Sequence, residues 1–134
     1  MCRRAFGLLL ATFGLIAATA SAPPAAAHHS PVAYDGNDVV AVQGVITEIR
    51  WGNPHTWFHV DATDSRGKVT SWRFQGEGPA WLARHGVALG SLKVGDHVTI
   101  RGFHEKYSSR NLAAGRVIVL ADGRSFTVGP PIGQ

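Results

Sequence analysis

Histidine is the residue type whose placement in this chain points most directly to chemistry. Two of the seven, His28 and His29, follow immediately on Ala25-Ala26-Ala27. Small residues of this kind are what signal peptidase accepts, so cleavage after Ala27 would make His28 the first residue of an exported chain. An amine and an imidazole on one residue chelate Cu(II) well. Cuts after Ala26 or Ala25 would instead put His29 or His28 third, where the amine, two amides and the imidazole can form a square-planar copper site. A leader would then turn an ordinary segment into a ligand only after export. The plainer alternative is that both side chains are solvated residues of a loose start.

His55 is the third member of this candidate metal set. It follows Asn53-Pro54, where proline stiffens the turn and delivers His55 just ahead of a strand. There it could face a folded-back amino terminus and complete a site, or it could be a turn residue hydrogen-bonded to backbone. His55 and His59 cannot share one metal on a straight strand, because four residues span roughly 13 Å. Sulfur ligands are excluded: Cys2 and Met1 are the only residues of their types, and both lie ahead of the cleavage site.

The four tryptophans, Trp51, Trp57, Trp72 and Trp81, are many for so small a body. Exposed ones could stack on a sugar, a base or a peptide ring, while buried ones fill a core. Trp51, Trp72 and Trp81 read as core or end plugs, and Trp57 as the exposed candidate. No Ser, His and acid trio sits in a nucleophile turn, no glycine-rich phosphate loop is present, and the exported body lacks a cysteine nucleophile. A non-catalytic protein is the expectation.

Three kinds of element must position these residues. The first is a signal peptide over 1–27: Arg3 and Arg4 give a positive start, Ala5 to Ala20 an apolar run, and Ala25 and Ala27 the cleavage motif. The run falls short of the roughly 20 residues of a membrane-spanning helix, and Pro23-Pro24 interrupt it. A periplasmic or secreted location follows, with membrane contact only through the leader before cleavage. Arg3-Arg4-Ala5-Phe6 is similar to a twin-arginine start, but Cys2 and Gly7 depart from that pattern, which favours the general secretory route. The second element is a loosely ordered segment over 28–41, matched by a tail over 129–134.

The third is one β-rich domain over 42–128. Its strands are expected at Val42–Trp51, Thr56–Thr63, Lys68–Gln75, His97–His104, Gly115–Leu120 and Arg124–Val128, each rich in Val, Ile, Thr, Phe or Trp and bounded by Gly, Asp or Asn. Pro79 suits a first helical position and Gly86 a stop, so one short helix lies between the third and fourth strands. This order predicts a mainly β fold, a small five- to six-stranded antiparallel Greek-key barrel of OB-fold type, with a sandwich as runner-up.

Strand alternation then divides the faces. Phe58, Val60, Ala62, Trp72, Phe74, Val98 and Ile100 form the core rows. Trp57, His59, Asp61, Arg73, Thr99 and Arg101 share the outer surface, where such barrels commonly bind ligands. The formal charge of +4 includes Arg3 and Arg4, and the remaining Lys and Arg are scattered, so nucleic acid is not the expected partner. A small molecule, a metal, or an envelope protein, peptide or glycan fits better.

Ala27-His28-His29-Ser30, Gly44 to Trp51, Asn53-Pro54-His55, and Leu92 to Asp96 with Gly102 together resemble the domain of unknown function family 6152, small exported bacterial proteins. The resemblance covers nearly all of the body after the leader. It implies an exported β-barrel and no particular activity or site residue.

Overall fold

The computed structural model describes residues 33–106 and 110–131. They form six strands and one short helix: β1 (Tyr34–Arg50), β2 (Trp57–Thr63), β3 (Val69–Gln75), α1 (Pro79–Arg84), β4 (His97–Glu105), β5 (Leu112–Leu120) and β6 (Ser125–Thr127). The fold is mainly β, as the alternating Val, Ile, Thr and Phe segments predict. Two strands start earlier than the sequence suggests. β1 begins at Tyr34 rather than Val42, because pairing with β4 carries Gly36, Asn37 and Asp38 into the sheet through an irregularity between Tyr34 and Val39. β5 begins at Leu112 rather than Gly115, because Leu112, Ala113 and Ala114 pair with β3. In both cases partner strands override weak local propensity.

The strand order is β3-β2-β1-β4-β5-β6, and a further pairing of β3 with β5 closes the first five strands into a ring. That closing pairing is parallel, through Arg73 with Leu112, Phe74 with Ala113 and Gln75 with Ala114; the others are antiparallel. A five-stranded ring with its helix between β3 and β4 has the OB-fold order. The β2–β3 turn is fixed by Asp64, whose carboxylate accepts from the amides of Arg66 (2.8 Å) and Lys68 (2.9 Å).

Inside the ring lie Ile46, Phe58, Val60, Phe74, Ile100 and Ile118, all without exposed surface. Leu82 of α1 and Val87 just beyond it join the same core, while Trp51, Trp72 and Trp81 pack against it partly buried. The helix is too short to be stable alone. Burial of Leu82 is what holds it.

Tyr34 ties the start of β1 across to the end of β3. Its hydroxyl donates to Gln75 Oε1 at 2.6 Å. Burial, and secondarily the carboxylate of Glu105, push its pKa above the ordinary 10.0. A raised acid pKa means the folded state holds its proton longer than the unfolded chain, so this contribution is complete below about pH 10 and is lost as pH rises through the folded pKa. Tyr34→Phe should therefore cost about 1 kcal/mol at neutral pH and flatten the alkaline limb of the stability curve. Urea titrations between neutral pH and pH 11 check both, and an unchanged alkaline slope would place that loss at another group.

Candidate functional site

The outer face of β2 is positioned by strands on both sides. Trp57 lies between Arg50 of β1 and Gln75 of β3, His59 between Glu48 and Arg73, and Asp61 between Val45 and Ser71. At the start of β2 the chain is sewn down by backbone. The Thr56 amide donates to the Glu77 carbonyl at 3.2 Å, and the Gly76 amide to the Thr56 carbonyl at 2.8 Å. Phe58 and Val60 point inward and anchor the strand, which leaves Trp57, His59 and Asp61 half-buried on the opposite side.

The charged groups of this face are largely fixed by one another. Arg50 Nε donates to Glu48 Oε1 at 2.6 Å, and this hydrogen bond holds the Glu48 carboxyl below its ordinary pKa. His59 Nδ1 lies 3.6 Å from Glu48 Oε2, a contact longer than a hydrogen bond. Burial lowers the His59 pKa; Arg50 and Arg73 add to the effect, while Glu48 and Asp61 oppose it. His59 is thus neutral near pH 7, and the carboxylate beside Nδ1 favours the tautomer that leaves Nε2 an acceptor. Asp61 Oδ1 accepts from the Ser71 hydroxyl at 2.6 Å. Arg73 is exposed, and among the described residues no carboxylate pairs with its guanidinium.

From Asp61 an open groove of about 350 Å³ runs across β1 toward β4 and β5, its walls including Gln43, Val45, Thr63, His97 and Thr99. The register explains it: Val45 is opposite both Asp61 of β2 and His97 of β4, so the three lie in one row. Its walls offer a carboxylate, an imidazole, an amide and two hydroxyls over an aliphatic floor.

Five of the six outer residues expected from sequence therefore fall on this face or in its groove: Trp57, His59, Asp61, Arg73 and Thr99. Arg101 does not. It pairs with Ala41 of β1, whereas His59 pairs with Glu48. Those partners are far apart along β1, roughly 20 Å at a strand's rise per residue. Alternation puts Arg101 on the outside; register puts it elsewhere on the ring. Glu48 and Arg50, conversely, join the face although sequence parity counted from Val45 turns them inward. One extra residue between Ile46 and Glu48 shifts the parity. Its sequence signal is the spacing of Ile46 and Ile49, three apart, where an unbroken alternation would place apolar residues two or four apart.

Of the candidate metal set, His28 and His29, with Ala25, Ala27 and the rest of the leader expected over 1–27, lie outside the described residues. His55 sits in the loop before β2 with Nδ1 3.2 Å from the Gly76 carbonyl, the backbone-tied arrangement of a turn histidine. Among the described residues no group of three or more His, Cys, Asp or Glu is arranged to hold a metal ion.

Fold and surface together define a small mainly β module of OB-like strand order, carrying a mixed aromatic and charged face on β1, β2 and β3. The chain belongs to the family described as "Family of unknown function (DUF6152)", whose model matches residues 16–113. No curated protein and no solved structure matches it.

Proposed function

We propose that this protein is an exported, periplasmic or secreted, non-catalytic binding module that takes its ligand on the outer face of β2. The observation that carries the reading is the row Trp57, His59, Asp61, flanked by Arg50 and Arg73 and continued by the groove toward His97. A half-exposed indole beside ordered polar groups combines contact area with directional hydrogen bonds, which is the usual make-up of a recognition surface. Support for export comes from Arg3 and Arg4, the apolar run and the Ala25 and Ala27 motif. A second reading rests on His28 and His29 standing directly after Ala27, where processing would create a copper-chelating terminus.

One experiment addresses both readings. Amide shifts of the processed, isotope-labelled protein are followed during titration with short glycans and peptides, and separately with Cu(II). On the first reading, shifts cluster at residues 57, 59, 61 and 73, and Trp57→Ala weakens binding about tenfold while stability stays within about 1 kcal/mol. Shifts scattered over the ring, or a large loss of stability in Trp57→Ala, would overturn it. On the second, Cu(II) gives a d-d band that disappears in the doubly substituted His28→Ala, His29→Ala protein; a band that survives would remove copper from the amino terminus.

A further inference from the structure

We infer that the ligand of this face is an acidic sugar, a pyranose or short oligosaccharide bearing a carboxylate, stacked on Trp57 and paired with Arg73. The inference rests on the reading that this face binds a ligand at all. It begins with what β2 cannot offer. Its backbone is hydrogen-bonded to β1 from Trp57 to Asp61 and to β3 from Trp57 to Thr63. An extended peptide that binds by adding a strand needs an open edge, and none is present beneath Trp57. Recognition here runs through side chains alone.

Those side chains suit a ring with hydroxyls on its rim. The half-buried Trp57 offers an apolar surface to the C–H face of a pyranose, and its lateral neighbours Arg50 and Gln75 supply N–H donors at the ring's edges, the Gln75 oxygen being held by the Tyr34 hydroxyl. Asp61, with Oδ1 fixed by Ser71, keeps a second carboxylate oxygen for a sugar hydroxyl, and neutral His59 keeps its Nε2 acceptor. Hydroxyls both donate and accept, so they can satisfy this mixed set. An apolar ligand would bury its polar members unpaired, which disfavours binding.

The acidic group follows from the charge inventory. Arg50 is bound to Glu48, and Asp61 to Ser71. Arg73 alone on the face lacks a carboxylate partner among the described residues, and it stands diagonal to Trp57 across the β2–β3 pair, within side-chain reach of a ring stacked there. A guanidinium pairs a carboxylate through two parallel hydrogen bonds. With Glu48 and Asp61 nearby, one uncompensated guanidinium suits a monoanion better than a doubly charged phosphate. The groove from Asp61 to Thr99 and His97 gives further sugar units a polar path along the face.

The test is calorimetric titration of the processed protein with trigalacturonate and with its fully methyl-esterified counterpart, repeated on Trp57→Ala, Arg73→Gln and Arg101→Gln. The acid should bind the wild type about tenfold more tightly than the ester, a preference that weakens with salt. Arg73→Gln should erase the preference, Trp57→Ala should weaken both ligands, and Arg101→Gln should change neither. Acid and ester binding equally, both dependent on Trp57, would overturn the acidic assignment and leave the binding face standing. Binding that ignores Trp57, or no binding of either sugar, would overturn the sugar assignment; the binding face itself would then fall only if the amide shifts of the peptide titration also missed residues 57, 59, 61 and 73.

Discussion

Phe58→Ala is expected to remove about 3–5 kcal/mol of unfolding free energy, the usual cost of deleting a fully buried phenylalanine ring. The ring has no exposed surface. It meets Trp51 edge-on at a centroid distance of 6.5 Å, and one of its edge carbons lies where a side chain on Gly76 would have to go. Collapse into the space it would leave is limited, because the strand that carries the ring is paired to β1 and β3 along this stretch. A domain of this size typically holds about 5–15 kcal/mol in all, so the variant should be close to unfolding at 37 °C. One residue earlier on the same strand, Trp57 points the other way, and its loss should cost no more than about 1 kcal/mol. Urea unfolding of the two variants side by side is the measurement. If Trp57→Ala proved the more damaging of the pair, the two faces of β2 would be assigned the wrong way round, and the proposed binding surface would go with them.

That comparison also marks how far the residues alone carry the fold. Alternation in Trp57-Phe58-His59-Val60-Asp61 separates core from surface without any partner strand, because side chains on a strand point alternately to either side. The Asp64 to Lys68 turn then brings β3 back in a single register and puts Arg73 beside His59. Long-range pairing is less visible. Ala113 and Ala114 have weak strand propensity, and only the parallel contact with Phe74 and Gln75 makes them strand residues, so the closure of the ring left no local mark. Arg101 fails for the same reason: parity is local, but its neighbours depend on where β4 meets β1. Glu48 and Arg50 were within reach, since the Ile46 and Ile49 spacing reveals the extra residue that turns both outward. The proposed leader and the histidines behind it are sequence patterns whose meaning would depend on processing.

Gly102→Ala tests the closure itself, and an outsized loss of stability is expected from adding a single methyl group. Gly102 is buried in β4, opposite Val40 of β1 and Gly115 of β5, next to a register shift. Its φ is not positive, so alanine carries no backbone strain there. The obstacle is contact: a Cβ would run into the carbonyl oxygen and carbon of Ala114, and would lie 3.1 Å from Gly115 Cα. All three are backbone atoms. Ala114 cannot retreat, because it is paired to Phe103 on one side and to Gln75 across the parallel seam on the other. Overfilling a packed interior costs about 1–3 kcal/mol where side chains can shift, so a site walled by paired backbone should reach about 3 kcal/mol or more. Gly86→Ala provides the contrast. Its φ is +80°, yet nothing lies within 4 Å of the added carbon, so its cost is conformational only. That amounts to about 1–2 kcal/mol, partly offset by about 0.4–1 kcal/mol from a stiffer unfolded chain. Urea midpoints should therefore fall further for Gly102→Ala than for Gly86→Ala, and amide exchange should accelerate specifically around Phe103 and Ala114. A Gly102→Ala protein as stable as the wild type would mean that β4 and β5 do not approach so closely, and that the ring is not drawn shut in the way the β3–β5 pairing requires.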